Sequence, residues 1–435
     1  MSNIPEHKES QEDRRGFLKK SFAGVAGLMV LPGFVNKRSK GEEVKSVQQF
    51  DVKPENSPEV NKINLQKAID WASESGTALY LDPVKKPYPV NGGIILKNNV
   101  SLIGANGPTP RGTIHPDKQQ PVGSVFEITD KENVFITVQS STQIKGIQFW
   151  YPEQTINDPD AIIPYPATIQ TSKDRKTQGV HLSCLTFYGE YFAMDFDASR
   201  QNACELMQFE HCYGYPLSGR FIRINYCYDV PRIMHCHVNP GSQRFIGGQY
   251  APAVVDAVIA KKTYAYSIDH TDNAQLIDLF TFGTYGGILL DDETYGQLTN
   301  FNFDCVAIGI YKKGSNTKNR NWQISQGSII ANTGAKLENI HPIVIEGQGH
   351  TSLSNVEAFS GGNAALTTVS ENQSWDYMLV KGNKKLTISL FGCRMRNYVA
   401  QSPITVENNQ AIIQAVACIE KNENLYNKVF PKDTE

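Results

Sequence analysis

The feature that most constrains the fold is a repeat of short, strand-like segments between residues 144 and 418. They include IKGIQFWYP (144–152), LMQFEHCYG (206–214) and GQLTNFNFDC (296–305), which alternate apolar and polar residues. Aligning the segments on a position expected to be buried selects Phe187, Cys212, Cys236, Phe282, Cys305, Ser328, Phe359, Cys393 and Cys418. Successive positions are 25, 24, 46, 23, 23, 31, 34 and 25 residues apart, and we interpret the interval of 46 as two coils. A period in the low twenties without intervening helices is typical of a stacked β-solenoid, so we predict an all-β, single-stranded parallel β-helix.

The cysteines support this alignment. Five of the eight fall at equivalent positions of the repeat: Cys212, Cys236, Cys305, Cys393 and Cys418. A cysteine at such a position serves as a small buried apolar residue. We therefore predict one column of free thiols in the core rather than a set of disulfides.

One helix is predicted ahead of the repeat. Apolar residues at helical spacing mark a single face: Ile63, Leu65, Ala68, Ile69 and Ala72. Asn61 or Asn64 is the predicted N-cap, and Gly76 is the predicted stop. The sequence predicts no other helix of any length after residue 47.

The N-terminal segment is typical of an export signal. Arg14 and Arg15 stand in DRRGFLKK, ahead of the modestly apolar SFAGVAGLMVLPGF (21–34), and look like the twin-arginine signal. We predict an export signal and linker over residues 1–40 and a parallel β-helix over residues 47–425. The twin-arginine machinery is then an expected partner, and the expected location is periplasmic or extracellular. A net charge of −2 gives no indication of nucleic-acid binding.

The start of the predicted β-helix resembles a known superfamily. The helix is followed by ALYLDP, by the strand YPV and by VSLIGANGPTPRGT (100–113), an order similar to the opening of pectate lyase-like proteins. That superfamily includes polygalacturonases, rhamnogalacturonases and phage tailspike enzymes. The resemblance implies a right-handed parallel β-helix with an N-terminal capping helix, and carbohydrate cleavage in a groove along the helix. Of the polygalacturonase motifs only an Asp-Asp pair, in LDDET (290–294), is present, so the resemblance does not identify the reaction.

The main candidate site is a cluster of charged residues on successive coils. Gln275-Leu276 matches Gln297-Leu298 at an offset of 22 residues, and the same offset aligns Asp269 with Asp291 and His270 with Asp292. Carboxylates one or two coils apart would be ~5–10 Å apart, the spacing that glycosidases use. We predict catalytic roles for Asp269, Asp291, Asp292 and Lys312. The expected substrate-binding residues beside them are His270, Asp272, Glu293 and Tyr295.

A second candidate lies two coils earlier. His211 and His235 stack one repeat apart, and His237 follows in MHCHVNPG. We predict a catalytic role for His237 and substrate-binding roles for His235, Arg232 and Arg244. No third ligand at metal spacing accompanies the histidines, so we predict no metal site here.

The sequence leaves three classes of function open. A glycoside hydrolase, the preferred interpretation, would use paired carboxylates on a polysaccharide or oligosaccharide and would require no cofactor. A polysaccharide lyase would use Lys312, His237 or an arginine, with Ca²⁺ held by the Asp cluster. A carbohydrate-binding or adhesive solenoid would need the groove alone. A homotrimer is also left open.

Overall fold

The structure is a computed structural model, and it describes residues 44–107, 113–115, 120–241, 249–314, 321–331, 340–360 and 375–431. The predicted export signal and Arg244 lie outside the described residues. The chain divides into two units, Met1–Glu43 and Val44–Glu435, and the second contains all the described residues.

The second unit confirms the predicted fold, a right-handed parallel β-helix. Each coil passes in turn through three parallel sheets, which we call sheets I, II and III. Sheet I contains Ile94–Leu96, Ile136–Val138, Ile169–Thr171, Phe192–Asp197, Arg220–Tyr228, Tyr264–Thr271, Gly286–Leu290, Ile308–Lys312, Ile343–Ile345, Met378–Val380 and Ile404–Val406. Sheet II contains Lys45–Ser46, Ala78–Tyr80, Ser101–Ile103, Thr142–Lys145, Thr177–Ser183, Cys204–Glu210, Arg232–Met234, Ala274–Ile277 and Leu386–Phe391. Sheet III contains Tyr88–Pro89, Val125–Glu127, Gln148–Trp150, Thr186–Tyr188, Tyr213–Gly214, His237–Val238, Phe280–Phe282 and Arg394–Met395.

Four long strands continue from sheet II into sheet III. They are Gly296–Val306, Trp322–Ala331, Gly349–Ser360 and Ala411–Ile419. The chain turns between the two sheets through a single residue with positive φ, and we call this stacked position the II–III corner. Its members are Gly146, Cys184, His211, His235, Asp278, Asn300, Gln326, Asn355, Gly392 and Ala417, with φ between 53° and 69°. Asn, Asp and His tolerate this left-handed conformation better than most residues, which accounts for much of the sequence at the corner.

The core is a set of columns that run along the helix axis. One column on the inner face of sheet II passes through Leu102, Ile144, Leu182, Phe209, Ile233, Leu276, Leu298, Ile324, Leu353 and Leu390. All of these side chains are buried. Because alternate residues of a strand face opposite sides, the same register leaves the intervening residues on the outer surface.

The cysteine prediction is partly wrong. All eight cysteines are buried and free, and the register places Cys212, Cys236, Cys393 and Cys418 in one inward column, with Leu279, Phe301, Gly327 and Val356 between the two pairs. Cys212 pairs with Cys236 through the Tyr213–His237 register, and Cys393 lies beside Cys418. Cys305 lies outside this column, because Phe301, four residues earlier, occupies the column position in its coil.

The 46-residue interval is one coil, not two. Arg232 pairs directly with Gln275 in sheet II, so the whole segment between them belongs to a single coil. That coil contains a second helix, Pro252–Ala260, which the sequence did not predict. Its buried residues are Val254, Val255, Val258 and Ile259.

The N-terminal helix covers Pro58–Ser75, and its predicted cap was wrong. Ser57 is the N-cap, and its side chain accepts a hydrogen bond from the backbone N–H of Val60. Asn61 is instead a buried helix residue whose amide donates to the carbonyls of Lys53 and Pro89. Gly76 ends the helix with a φ of 64°, as predicted.

The remaining elements are small. The C-terminal strand Leu425–Phe430 pairs antiparallel with Ala411–Ile419, and Thr113–His115 pairs antiparallel with Gln120–Val122. Short 3₁₀ helices occupy Val47–Phe50, Pro159–Ala161 and Lys421–Glu423. Among the described residues, no helix has the length and apolar character needed to cross a membrane.

Candidate functional site

Sheet I carries two stacked columns of outward-facing residues near the ends of its strands. In the first column Asp197 pairs with Asn225, and Asn225 pairs with Asp269. Asp291 continues this column, because Ile268 pairs with Leu290 directly before it. The second column runs through Asp195, Arg223, Ser267 and Leu289. The predicted offset of 22 residues between Asp269 and Asp291 is therefore confirmed.

Arg223 neutralises the first two carboxylates of the site. Its Nε and one terminal nitrogen lie 2.8 Å from the two carboxyl oxygens of Asp195, a bidentate arrangement. The same terminal nitrogen is 3.0 Å from Oδ2 of Asp197. Asn225 donates a hydrogen bond of 2.9 Å to the other oxygen of Asp197. These two aspartates are thus already paired with a cation and an amide.

Asp269 has no such partner. Its Oδ1 is buried and makes no hydrogen bond within the described part of the chain. Nδ1 of His270 lies 2.8 Å from that oxygen, but it has hydrogen-bond geometry toward Oδ1 of Asn225, at 3.1 Å. Burial raises the pKa of Asp269 to about 6, the nearby Asp291 and Asp292 add to the rise, and His270 opposes it. Asp269 is therefore a carboxyl group that keeps its proton to a higher pH than an ordinary aspartate does.

Asp291 lies in different surroundings. Nζ of Lys313 is 3.4 Å from its Oδ2. The sequence brings Lys312 or Lys313 to this place, and our choice of Lys312 was wrong, because Lys312 pairs with Leu290 on the inward side of the strand. Lys312 is buried, and its ammonium group donates to the backbone carbonyls of Gln348 at 2.6 Å and Glu346 at 3.4 Å. Burial lowers its pKa to about 8.

An open pocket of about 270 Å³ lies on the outer face of sheet I. Asp197, Asp269 and Asp291 contribute carboxylates to its wall. Arg220 and Lys262, which are both exposed, line the same pocket. The pocket therefore combines a carboxyl pair on neighbouring coils with basic groups that solvent can reach.

The other predicted residues of the cluster lie at the turn that follows sheet I. The backbone carbonyl of Asp292 accepts a hydrogen bond of 2.8 Å from the N–H of His270, as the predicted alignment of these two residues requires. Tyr295 donates from its hydroxyl group to Asp272. Glu293 lies 3.9 Å from Arg200. The pocket wall does not include these four residues or His270.

The second predicted site is on a different face. His235 is a II–III corner residue, and its ring lies 4.8 Å from that of His211, which confirms the predicted stacking. His237 is on sheet III, where its ring stacks between those of Tyr213 and Phe280. Arg232 is in sheet II. Neither histidine nor Arg232 lines the pocket of sheet I. No group of three or more His, Cys, Asp or Glu side chains that could hold a metal ion occurs among the described residues.

Several residues of the site were not selected from the sequence, among them Asp195, Asp197 and Asn225. The available signal was the alternation in AMDFDASR and RFIRINY, where every second residue is polar. That alternation places Asp195 and Asp197 on one face, and the register of the next coil then brings Arg223 between them.

The sequence matches no protein-family model, and it matches no curated protein. The structure is similar to several solved structures. The N-terminal fragment of bacteriophage Phi29 gene product 12 shares 12% identity at a TM-score of 0.44, over 86% of this chain and 66% of that chain. A tailspike protein mutant of E. coli bacteriophage HK620, in complex with a pentasaccharide, shares 11% identity at 0.42, over 89% and 69% respectively. A mutant of DFA-IIIase from Arthrobacter chlorophenolicus A6, in complex with DFA-III, shares 11% identity at 0.37, over 86% and 85%.

The fold follows from the parallel pairing of strands in successive coils and does not depend on these structural similarities. The chain is a parallel β-helix whose sheet I presents a pocket lined by three carboxyl groups and three basic side chains.

Proposed function

We propose that the protein is a carbohydrate-active β-helix that hydrolyses glycosidic bonds in the pocket of sheet I. The observation that carries this proposal is the position of Asp269 and Asp291, one coil apart in one outward column of an open pocket. Adjacent strands are about 4.8 Å apart, close to the separation of the two carboxyl groups in retaining glycosidases.

The surroundings of the two carboxyl groups suit different roles. Asp269, whose pKa is raised to about 6, is the general acid that protonates the glycosidic oxygen. Asp291, beside the ammonium group of Lys313, is the carboxylate that attacks the anomeric carbon as the leaving group departs. Asp269, now ionised, then takes a proton from the water that releases the sugar from Asp291. The proton given to the leaving group is thereby restored to Asp269.

The basic residues of the pocket favour an anionic glycan. Arg220 and Lys262 are exposed and line the same cavity as the carboxyl pair, so a uronate or another acidic sugar would find a counter-charge there. The same observation supports a second candidate function, β-elimination by a polysaccharide lyase. In that reaction the cations would neutralise the substrate carboxylate, and a carboxylate of the pocket wall, such as Asp291, would take the proton.

Two readouts on one panel of substrates separate the candidates. The protein is incubated with uronate-containing and neutral polysaccharides, while reducing ends and the ultraviolet absorbance of unsaturated sugars are followed together. Reducing ends without absorbance are the expected result and indicate hydrolysis, whereas absorbance indicates elimination. Neither signal on any substrate would contradict both enzymatic proposals and would favour a binding solenoid.

A further inference from the structure

A second and larger groove lies on another face of the β-helix, along the II–III corner. Its volume is about 680 Å³. Residues of the II–III corner form one side of the groove, and residues of sheet III form the other. In each coil one residue lies between these two positions, and these residues form the floor: Leu279, Phe301, Gly327 and Val356. The corner side consists of Asp278, Asn300, Gln326, Asn355 and Gly392, and the sheet III side of His237, Phe280, Asn302, Ser328, Glu357 and Arg394.

The groove runs along the helix axis across five successive coils. Asn300 pairs in line with Gln326, because Thr299 pairs with Ser325 and Phe301 pairs with Gly327 on either side of them. Each coil adds a rise of about 4.8 Å, so the five corner positions extend over about 19 Å. A ligand that fills such a groove is long, narrow and extended.

The amide groups of the groove have unused hydrogen-bonding capacity. Asn300, Asn302 and Asn355 are exposed, and their side chains make no hydrogen bond to another described residue. Gln326 is also exposed, and its only side-chain contact in the described part of the chain is a 3.5 Å bond from Thr299. An amide both donates and accepts, so a row of amides matches a chain that carries many hydroxyl groups.

The floor of the groove is apolar. Phe301 and Leu279 line it, and the absence of a side chain at Gly327 leaves room for the ring of Phe301. A Cβ at position 327 would come within 2.2 Å of that ring. Phe280 and His237, stacked 4.2 Å apart, add aromatic surface at one end. Aromatic and apolar faces flanked by amides suit the C–H faces and hydroxyl groups of sugars.

The charges of the groove compensate one another. Asp278 contacts Nδ1 of His235 at 2.9 Å, Glu357 is paired with Arg396 at 2.8 Å, and Arg394, which also lines the groove, is paired with Glu423 at 2.8 Å. Nothing in this arrangement selects a strongly acidic or basic ligand. The middle of the groove, from Asn300 to Ser328, carries only neutral side chains.

We propose that this groove is a non-catalytic binding site for a linear, neutral oligosaccharide or an uncharged stretch of a polysaccharide. The choice of a glycan as the ligand, rather than another extended polymer, rests on the proposed function. The position of the groove and the chemistry of its side chains are independent of that function. The site would hold a polysaccharide on the β-helix while sheet I acts on the same or another chain.

The test uses the full-length protein carrying Asp269→Asn, which separates binding from turnover. Binding of cellohexaose, xylohexaose and mannohexaose is measured by isothermal titration calorimetry. The double variant Asn300→Ala with Asn302→Ala should bind the preferred chain about tenfold more weakly, because several hydrogen bonds are lost. Gln326→Ala should also weaken binding.

A matched control is present on the same strand. Gln323 is an exposed amide that does not line the groove, so Gln323→Ala should bind as tightly as the parent. Equal affinities in the parent and the double variant would overturn the proposal, and so would a parent that binds none of the three probes. The groove substitutions are also made in the chain with intact Asp269, and hydrolysis by these variants is measured. This measurement distinguishes failure of the groove proposal from failure of the proposed function. Binding without hydrolysis by the unmodified chain would contradict the proposed function alone, and hydrolysis with binding insensitive to the groove would contradict this inference alone.

Discussion

Nζ of Lys313 lies 3.4 Å from Oδ2 of Asp291, one coil away from the buried and unbonded Oδ1 of Asp269. The second carboxyl group of the site therefore contacts a lysine ammonium group, whereas the first lies beside the imidazole of His270. The two carboxyl groups of the column thus lie in different surroundings, which suits one to act as an acid and the other as a nucleophile.

Removing either carboxylate should abolish most of the activity and leave the fold intact. Asp269→Asn and Asp291→Asn are each expected to lower kcat by about a hundredfold or more, the effect of losing an acid–base or nucleophilic group. Both side chains are partly exposed, so the melting temperature should change little. Asp174→Asn, at an exposed position outside the pocket, is the control.

Two outcomes would contradict this assignment. Full activity in both variants would move the chemistry away from sheet I. A loss that excess calcium partly restores would indicate that the carboxylates hold a cation instead.

The pH dependence of activity should report the proton on Asp269. Because its pKa is raised to about 6 and the acid must be protonated, kcat/KM should fall as the pH rises through about 6. Asp292 contributes to the raised pKa, so Asp292→Asn should move this limb of the profile to lower pH. If kcat/KM falls at the same pH in the parent and in the variant, a group other than Asp269 controls this pH dependence.

Glu190 should make the stability of the fold depend on pH. Its side chain is completely buried, and neither carboxyl oxygen hydrogen-bonds to a described residue. Burial raises its pKa from 4.5 to about 8, and the nearby backbone N–H groups of residues 190 and 215 only partly oppose that rise. The folded state therefore retains a proton that the unfolded state releases, so stability should fall as the pH rises from 4.5 to 8.

The variant Glu190→Gln isolates this effect. Glutamine is neutral at every pH, so the melting temperature of this variant should decrease less than that of the parent as the pH rises from 4.5 to 8. Glu132→Gln, at an exposed position, should retain the dependence of the parent. Parallel melting curves for Glu190→Gln and the parent would mean that the carboxyl group is not buried as described.

The paired thiols of Cys212 and Cys236 should be inert and intolerant of charge. Burial raises the pKa of Cys212 well above its usual range, so native-state labelling by a thiol reagent should be slow. Cys236→Asp should destabilise the protein by at least about 3 kcal/mol, because a charge would enter an apolar column. Cys236→Ala, which removes only the sulfur, should cost about 1 kcal/mol. Similar melting temperatures for the two variants would contradict the core position.

Export can be tested separately from the structure. Replacing both Arg14 and Arg15 by lysine should retain the protein in the cytoplasm, because the twin-arginine pathway recognises the arginine pair. The measurement is the distribution of the protein between cell fractions. Unchanged export would show that this segment acts as another kind of leader.

The sequence was sufficient for the fold and for the central pair of the site. A period in the low twenties specifies stacked coils, and the matched Gln-Leu pairs fixed the register of Asp269 with Asp291. It failed where the coil length changes. The insertion that contains Pro252–Ala260 looks like an extra coil, because an interval alone does not distinguish a longer loop from a further turn of the solenoid.

The errors at single residues are errors of register. Phe301 occupies the cysteine column in its coil, four residues before Cys305. Lys312 faces inward, whereas its neighbour Lys313 faces outward. The side-chain period of a strand is two, so a shift of one residue exchanges inside for outside. The spacing of the repeats alone does not specify which residue of each segment faces the core at a given position.

The last coil ends in a strand that runs backwards. Leu425–Phe430 covers Ala411–Ile419 in antiparallel orientation, whereas strands in successive coils pair in parallel. A second molecule that approached this end with its first coil would meet a reversed hydrogen-bonding pattern in place of another coil. Stacked solenoids have a built-in tendency toward head-to-tail polymerisation into filaments, and the reversal of one strand opposes it at this end.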